Sequence, residues 1–161
     1  MKTLGIVKVE KRSLYPIGIY GPWKKVALIY NLLTLDGRDF YHAQCLTNVA
    51  AGTRGANVVA LTESTFTPLT SDTSLVGEII VNGLARASAD TITHTNDTNS
   101  TTIQNTFTAT GSFTDVKASA LFNATTPPIS GIMTHEANFG TGSGTLASGD
   151  QLRVTWTINI G

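Results

Sequence analysis

The most constraining stretch is at the end of the chain. Leu152, Val154, Trp156, Ile158 and Ile160 alternate strictly with Gln151, Arg153, Thr155, Thr157 and Asn159. A two-residue period fits a pleated strand with one buried and one wet face, and it cannot fit a helix. Such a strand is half-buried and antiparallel, so the domain around it must supply neighbouring strands and a second layer. Composition agrees. The chain has 26 Thr, 15 Gly, 11 Ser and 10 Asn in 161 residues, the residue types of pleated surfaces and tight turns. Only 14% of residues are charged, which excludes a coiled coil and argues against a disordered chain. One domain of this length can bury a substantial core.

Further strands are read upstream. Asn57 to Thr62 is a short apolar run, and Leu75 to Val81 and Leu84 to His94 read as strands split at Asn82-Gly83. Ile103, Phe107 and Ala109 share one face, and Val116, Ala118, Ala120 and Phe122 share another. Ile129 to Phe139 reads as a strand after Pro127-Pro128, and Thr95 to Thr102 as a polar loop. Phe40 to Ala51 fits a short helix or a strand. The fold expected is all-β, an antiparallel β-sandwich or jelly-roll-like barrel over residues 36–161. Residues 1–35 are expected to form an extended N-terminal arm, with one short strand over Leu4, Ile6, Val7 and Val9 and a stretch from Val26 to Leu35 that is apolar enough for another. Pro16, Gly18, Gly21 and Pro22 break regular structure there, between aromatic and basic residues.

The net charge of zero hides an asymmetry. Residues 1–54 carry eight Lys/Arg against three acids, a net of +5, and residues 55–161 carry the inverse, −5. Opposite charge on the two parts favours either docking within one chain or self-assembly. No window approaches a membrane span, and the first residues do not read as a signal peptide because Lys8, Glu10, Lys11 and Arg12 interrupt any apolar stretch. A single cysteine, Cys45, precludes an intrachain disulfide.

No catalytic or metal-binding constellation is legible. His42, His94 and His135 lack ligand spacing, and His135-Glu136 lacks the second His of a zinc helix. Gly140 to Gly144 is glycine-rich, but a strand rather than a helix is expected after it, so it reads as a turn and not as a phosphate cradle. No catalytic residue, metal or cofactor is therefore expected. A neutral chain also lacks the basic footprint of a nucleic-acid binder.

The stretch from Ala56 to Gly161 resembles a family of small tailed-bacteriophage virion proteins often labelled tail fibre proteins. The resemblance is carried by an ordered series: Val58-Val59-Ala60-Leu61-Thr62, Gly77-Glu78, Asn82-Gly83-Leu84-Ala85-Arg86-Ala87, Phe107 to Thr114, Ala120 to Ala124, Met133 to Ala137, and Leu146 to Asp150. It implies a non-enzymatic virion component on the particle exterior, assembled in the host cytoplasm. With an arm and no fibre-like repeats or coiled coil, the expected role is a capsid decoration protein. It would bind the major capsid protein and form a homo-oligomer, expected as a trimer. The alternative is a tail-fibre or tail-tip protein whose sandwich binds a receptor or glycan. The expected partner contacts are Lys8, Lys11, Arg12, Tyr15, Tyr20, Trp23, Lys24 and Lys25.

Overall fold

The computed structural model describes residues 4–16, 18–35, 37, 55–94, 100–126 and 131–159. Their strands are β1 (Leu4–Arg12), β2 (Lys24–Tyr30), β3 (Leu32–Leu33), β4 (Val58–Thr62), β5 (Ala87–Ser88), β6 (Thr91–His94), β7 (Ser100–Thr108), β8 (Ala118–Phe122), β9 (Met133–Asn138) and β10 (Gln151–Asn159). They form two antiparallel five-stranded sheets. The front sheet runs β2-β1-β10-β7-β6 and the back sheet β3-β9-β8-β4-β5. The fold is a β-sandwich, and neither sheet closes into a barrel.

The alternation read in the last strand places β10 at the centre of the front sheet. Leu152, Val154, Trp156 and Ile158 point between the sheets, with Val7, Val9, Ile103 and Phe107 beside them. The back sheet answers with Val59, Leu61, Leu121 and Ala137. Removing this apolar area from water is what holds the two layers together.

The expected arm is not an arm. β1 pairs with β10 along nine positions, from Leu4↔Asn159 to Arg12↔Gln151, and with β2 on its other side. Val7 and Val9 have no exposure. The reason lies in the period: Lys8, Glu10 and Arg12 fall on the outward face, which a half-buried strand tolerates, and Lys11, opposite Leu152, comes only at the end of the strand. The Pro- and Gly-containing segment is the connection between β1 and β2, closed by a bridge between Leu14 and Tyr20. Thr34, just before the expected end of the arm, donates two hydrogen bonds to β9. Its N–H donates to Thr134 O (3.1 Å) and its hydroxyl to Met133 O (2.7 Å).

A second departure lies on the far side of the back sheet. β4 and β8 are buried at every position, so both of their faces are covered. Val58, Ala60, Ala120, Phe122 and Met133 form a second apolar cluster with Leu75, and Phe66 packs on it. The cover is the irregular segment 63–81. Leu75 to Val81 is therefore not a strand: it makes one bridge, Thr62↔Glu78, and leaves Val76, Ile80 and Val81 exposed. Leu84 to His94 holds only the short β5 and β6. Glu78 and Arg86 form an ion pair that is buried on both sides, with the guanidinium 3.6 Å from the Phe122 ring centroid. The segment 40–51, with His42 and Cys45, lies outside the described residues.

Candidate functional site

The outward residues of β1 stand beside those of β10. Glu10 lies opposite Arg153 and Arg12 opposite Gln151. One Glu10 oxygen accepts from Arg153 Nε and Nη2 (3.0 and 2.6 Å), and the other contacts Lys8 Nζ (2.8 Å). Burial pushes the Glu10 carboxyl up, but the hydrogen bonds and charges of Lys8 and Arg153 outweigh it and hold the group below its ordinary value.

Arg12 is held differently. Its Nε and Nη2 donate to the neutral Gln151 Oε1 (2.9 and 2.6 Å). Its guanidinium lies 4.3 Å from the Tyr20 ring centroid and 4.6 Å from that of Trp23. Arg153 lies 4.2 Å from the same Trp23 ring. Cation–π contacts fix the plane of the guanidinium without cancelling its charge.

The β1–β2 connection supplies the rest. Tyr15 N–H donates to Ile19 O (2.9 Å) and Gly21 N–H to Ser13 O (3.0 Å). A side chain at Gly21 would come within 2.9 Å of the Tyr15 hydroxyl, so glycine lets the phenol lie across the turn. Leu14 N–H donates to Asp150 Oδ1 (3.1 Å), which ties the turn to the approach to β10. Together these elements enclose a cleft of about 340 Å³. Lys11, Arg12 and Lys24 line it with Ser13, Tyr15 and Pro22, and no carboxylate lines it. Lys11 Nζ also donates to Thr145 O.

Of the eight residues expected to meet a partner, Lys11, Arg12, Tyr15 and Lys24 line this cleft, and Tyr20 and Trp23 brace Arg12. Lys8 is spent on Glu10, and Lys25 is exposed on β2 opposite Glu10 in the register. The sequence reading missed Gln151, Arg153 and Glu10. The first two were visible as outward positions of the terminal strand, but their partners are about 140 residues away in the chain.

A second group of titratable residues sits in β9. His135 has no exposed surface and faces the Trp156 ring edge-on at 6.1 Å. Burial pushes it down to about 4, so it is neutral at physiological pH. Glu136, on the other face, is 1% exposed and accepts Leu69 N–H (3.0 Å) beside Asp72, which accepts the same N–H (2.9 Å). Burial, then hydrogen bonding and repulsion from Asp72, push Glu136 up to about 8, against the lowering effect of Leu69 N–H. It is therefore a protonated acid that pins segment 63–81 at neutral pH.

These two groups predict a specific pH profile. The unfolded chain releases the Glu136 proton above its ordinary 4.5, whereas the fold keeps it until about 8, so this group's stabilising effect is lost as pH rises through that window. His135 acts oppositely: the unfolded chain takes up a proton below 6.5, so its effect is lost as pH falls from 6.5 to about 4. The two cancel between 4.5 and 6.5, and from 6.5 to 8 Glu136 alone lowers stability, by about 1.4 kcal/mol per pH unit at most. Urea unfolding of Glu136→Gln should show no decline over 6.5–8. An unchanged decline in the variant would mean that another group causes it.

Among the described residues no group of three His, Cys, Asp or Glu side chains is placed to hold a metal ion, and no helix is long and apolar enough to cross a membrane. Comparison with known proteins finds no matching family model, no matching curated protein and no matching solved structure.

Proposed function

We propose that this chain is a non-enzymatic structural protein of a tailed-phage virion, a capsid decoration protein on the particle exterior. It docks on the major capsid protein lattice through the basic corner at the end of β1 and β2. The ordered resemblance over residues 56–161 supports the virion part of this reading. The observation that carries the docking part is the convergence of Lys11, Arg12, Tyr15 and Lys24 on one cleft, with Tyr20 and Trp23 behind Arg12. A corner fixed by strand pairing loses less entropy on binding than a tether would. The docking corner is thus a pre-formed surface. Self-association as a homotrimer is part of the proposal and is read directly by sedimentation velocity.

The aromatic faces count against sugar binding at this corner. Tyr20 and Trp23 are stacked on arginines, so these faces are not clear platforms for a sugar ring. The test is co-sedimentation of the purified protein with particles that lack it, followed by electron microscopy. Saturable binding on the head is expected. The double variant Lys11→Glu/Lys24→Glu should weaken it at least about a hundredfold, since two attractive contacts become repulsive. Failure of the native chain to bind heads would overturn the reading, and binding to tails, host cells or glycans would replace it with the tail-tip alternative.

A further inference from the structure

We infer that residues 66–74 form a flap over the back sheet, held shut by the Glu136–Asp72 carboxyl pair and released when Glu136 loses its proton. The inference goes beyond the docking reading and does not depend on it.

The geometry of the pair comes first. Glu136 Oε1 and Asp72 Oδ2 lie 3.0 and 2.9 Å from the same donor, the Leu69 N–H. One N–H cannot offset two negative charges, and Glu136 is 1% exposed, so the pair is stable only while it carries a proton. The packed elements offer it no cation. Its register partners are Leu32 on β3 and Ala120 on β8, with Ala60 on β4 beyond. On β9 itself, His135 turns the other way, toward Trp156, and Asn138 is neutral. Lys24 and Lys25 of β2 stand opposite Lys11 and Glu10 in the front sheet. In segment 63–81, Glu63 accepts the N–H groups of Thr114 and Asp115, and Glu78 is paired with Arg86. Among the described residues Asp72 is thus the charged group that faces Glu136, and it repels a second charge.

The strip that donates to Glu136 is built to lift between two fixed ends. Before it, Thr62 O accepts Lys117 N–H (2.9 Å) and the Thr62 hydroxyl accepts Ser64 N–H (3.0 Å). After it, Ile79 N–H donates to Leu61 O (2.8 Å), the Thr62 hydroxyl donates to Val76 O (2.7 Å), and Arg86 clamps Glu78. Residues 66–74 pair with no strand, and most of them are exposed. Among the described residues three hydrogen bonds tie them to the rest of the fold: Asn138 Nδ2 to Phe66 O, Leu35 N–H to Thr70 O (2.7 Å), and Leu69 N–H to Glu136. Such an element opens at a lower free energy than the strands beneath it. Ionising Glu136 in the closed state buries a charge and sets it beside Asp72, and lifting the strip hydrates it without breaking β4, β8 or β9. The closed state holds the Glu136 proton until about 8, whereas a hydrated Glu136 holds it only to 4.5, so opening grows easier as pH rises between the two.

The experiment follows amide hydrogen exchange of the full chain by NMR across this pH range, corrected for the intrinsic effect of pH on exchange. Protection of Leu69 N–H should fall by up to about tenfold per pH unit between about pH 6 and 8. It should also lie at least about a hundredfold below that of the β4 and β8 amides and stay indifferent to low urea, the mark of a local opening, whereas the strand amides respond to urea. In Glu136→Gln the Leu69 protection should no longer change with pH. In Asp72→Asn, which keeps an oxygen for Leu69 N–H but removes the repelling charge, the fall should level off at a lower pH. This second variant, at a half-buried position, carries the test if Glu136→Gln does not fold. Three results overturn the inference: Leu69 protection that is flat with pH in the native chain, protection equal to that of β4 and β8 with the same urea response, which means that the whole domain opens at once, or an unchanged slope in the variants.

Discussion

Arg86→Ala is expected to destabilise the fold by about 3–5 kcal/mol, because it strips a buried carboxylate of its counter-charge. The Arg86 and Glu78 side chains are 0% and 2% exposed. Arg86 Nε donates to Glu78 Oε1 (2.7 Å), Nη2 donates to Oε2, and Nη1 reaches Ala124 O (3.3 Å). The guanidinium also covers the Phe122 ring. Truncation would leave Glu78 desolvated without a partner and open the space over Phe122. Glu78→Ala should cost a similar amount, since it leaves the guanidinium buried without the Glu78 counter-charge. The double variant Arg86→Met/Glu78→Leu should recover most of the loss, because a buried pair gains little over well-packed apolar groups of similar volume. Chemical denaturation followed by circular dichroism measures all three. Losses below about 1 kcal/mol in both single variants would show that the site takes up water on truncation, and that segment 63–81 covers it less tightly than the structure indicates.

The second large effect is at Trp156. It is the largest fully buried side chain, in the middle of β10, with Nε1 donating to Ser119 Oγ across the sandwich (3.3 Å) and its ring against His135. Trp156→Ala should cost about 3–5 kcal/mol through lost apolar burial and an incompletely collapsed cavity. Trp156→Phe keeps most of the apolar contact and gives up the Ser119 bond, a loss on the order of 1 kcal/mol beyond the smaller ring. A spectroscopic readout accompanies the stability loss. His135 is held at about 4 by burial, so a cavity that admits water beside it should let its titration move up toward 6.5. Proton NMR of the imidazole in Trp156→Ala would follow this. An unmoved His135 would mean that the cavity stays dry or closes.

The parts legible in the sequence are those with one wet face. β10 shows its period openly, and its Trp156 was correctly placed inward. β4 and β8 were legible as apolar runs, but not as strands covered on both sides, because a strand without a wet face has no alternation to read. The same ambiguity made Leu75 to Val81 read as a strand. Leu75 is buried as a cover over the second cluster and Ile79 in the main core, and their spacing imitates a pleat only in part. β1 was read only as a short strand within an arm, because Lys8, Lys11 and Arg12 blur its alternation toward the end. At the corner, the residue types pointed to a contact surface, but spacing alone could not show that Arg12 would meet Gln151 or that Glu10 would meet Arg153. Those meetings depend on register between the first and last strands, a property of the sheet and not of either segment.

That register has a consequence for how the chain is made. β1 leaves the ribosome before its central neighbour β10, which follows it by about 140 residues. At cellular rates of translation this delay is on the order of ten seconds. During that interval the nascent β1–β2 hairpin must remain without its main partner, with the β1 edge unpaired as well as the β2 edge that stays open in the finished sheet. Lys8, Lys11, Lys24 and Lys25 then serve a second purpose, since lysines along an open edge discourage pairing with other nascent chains.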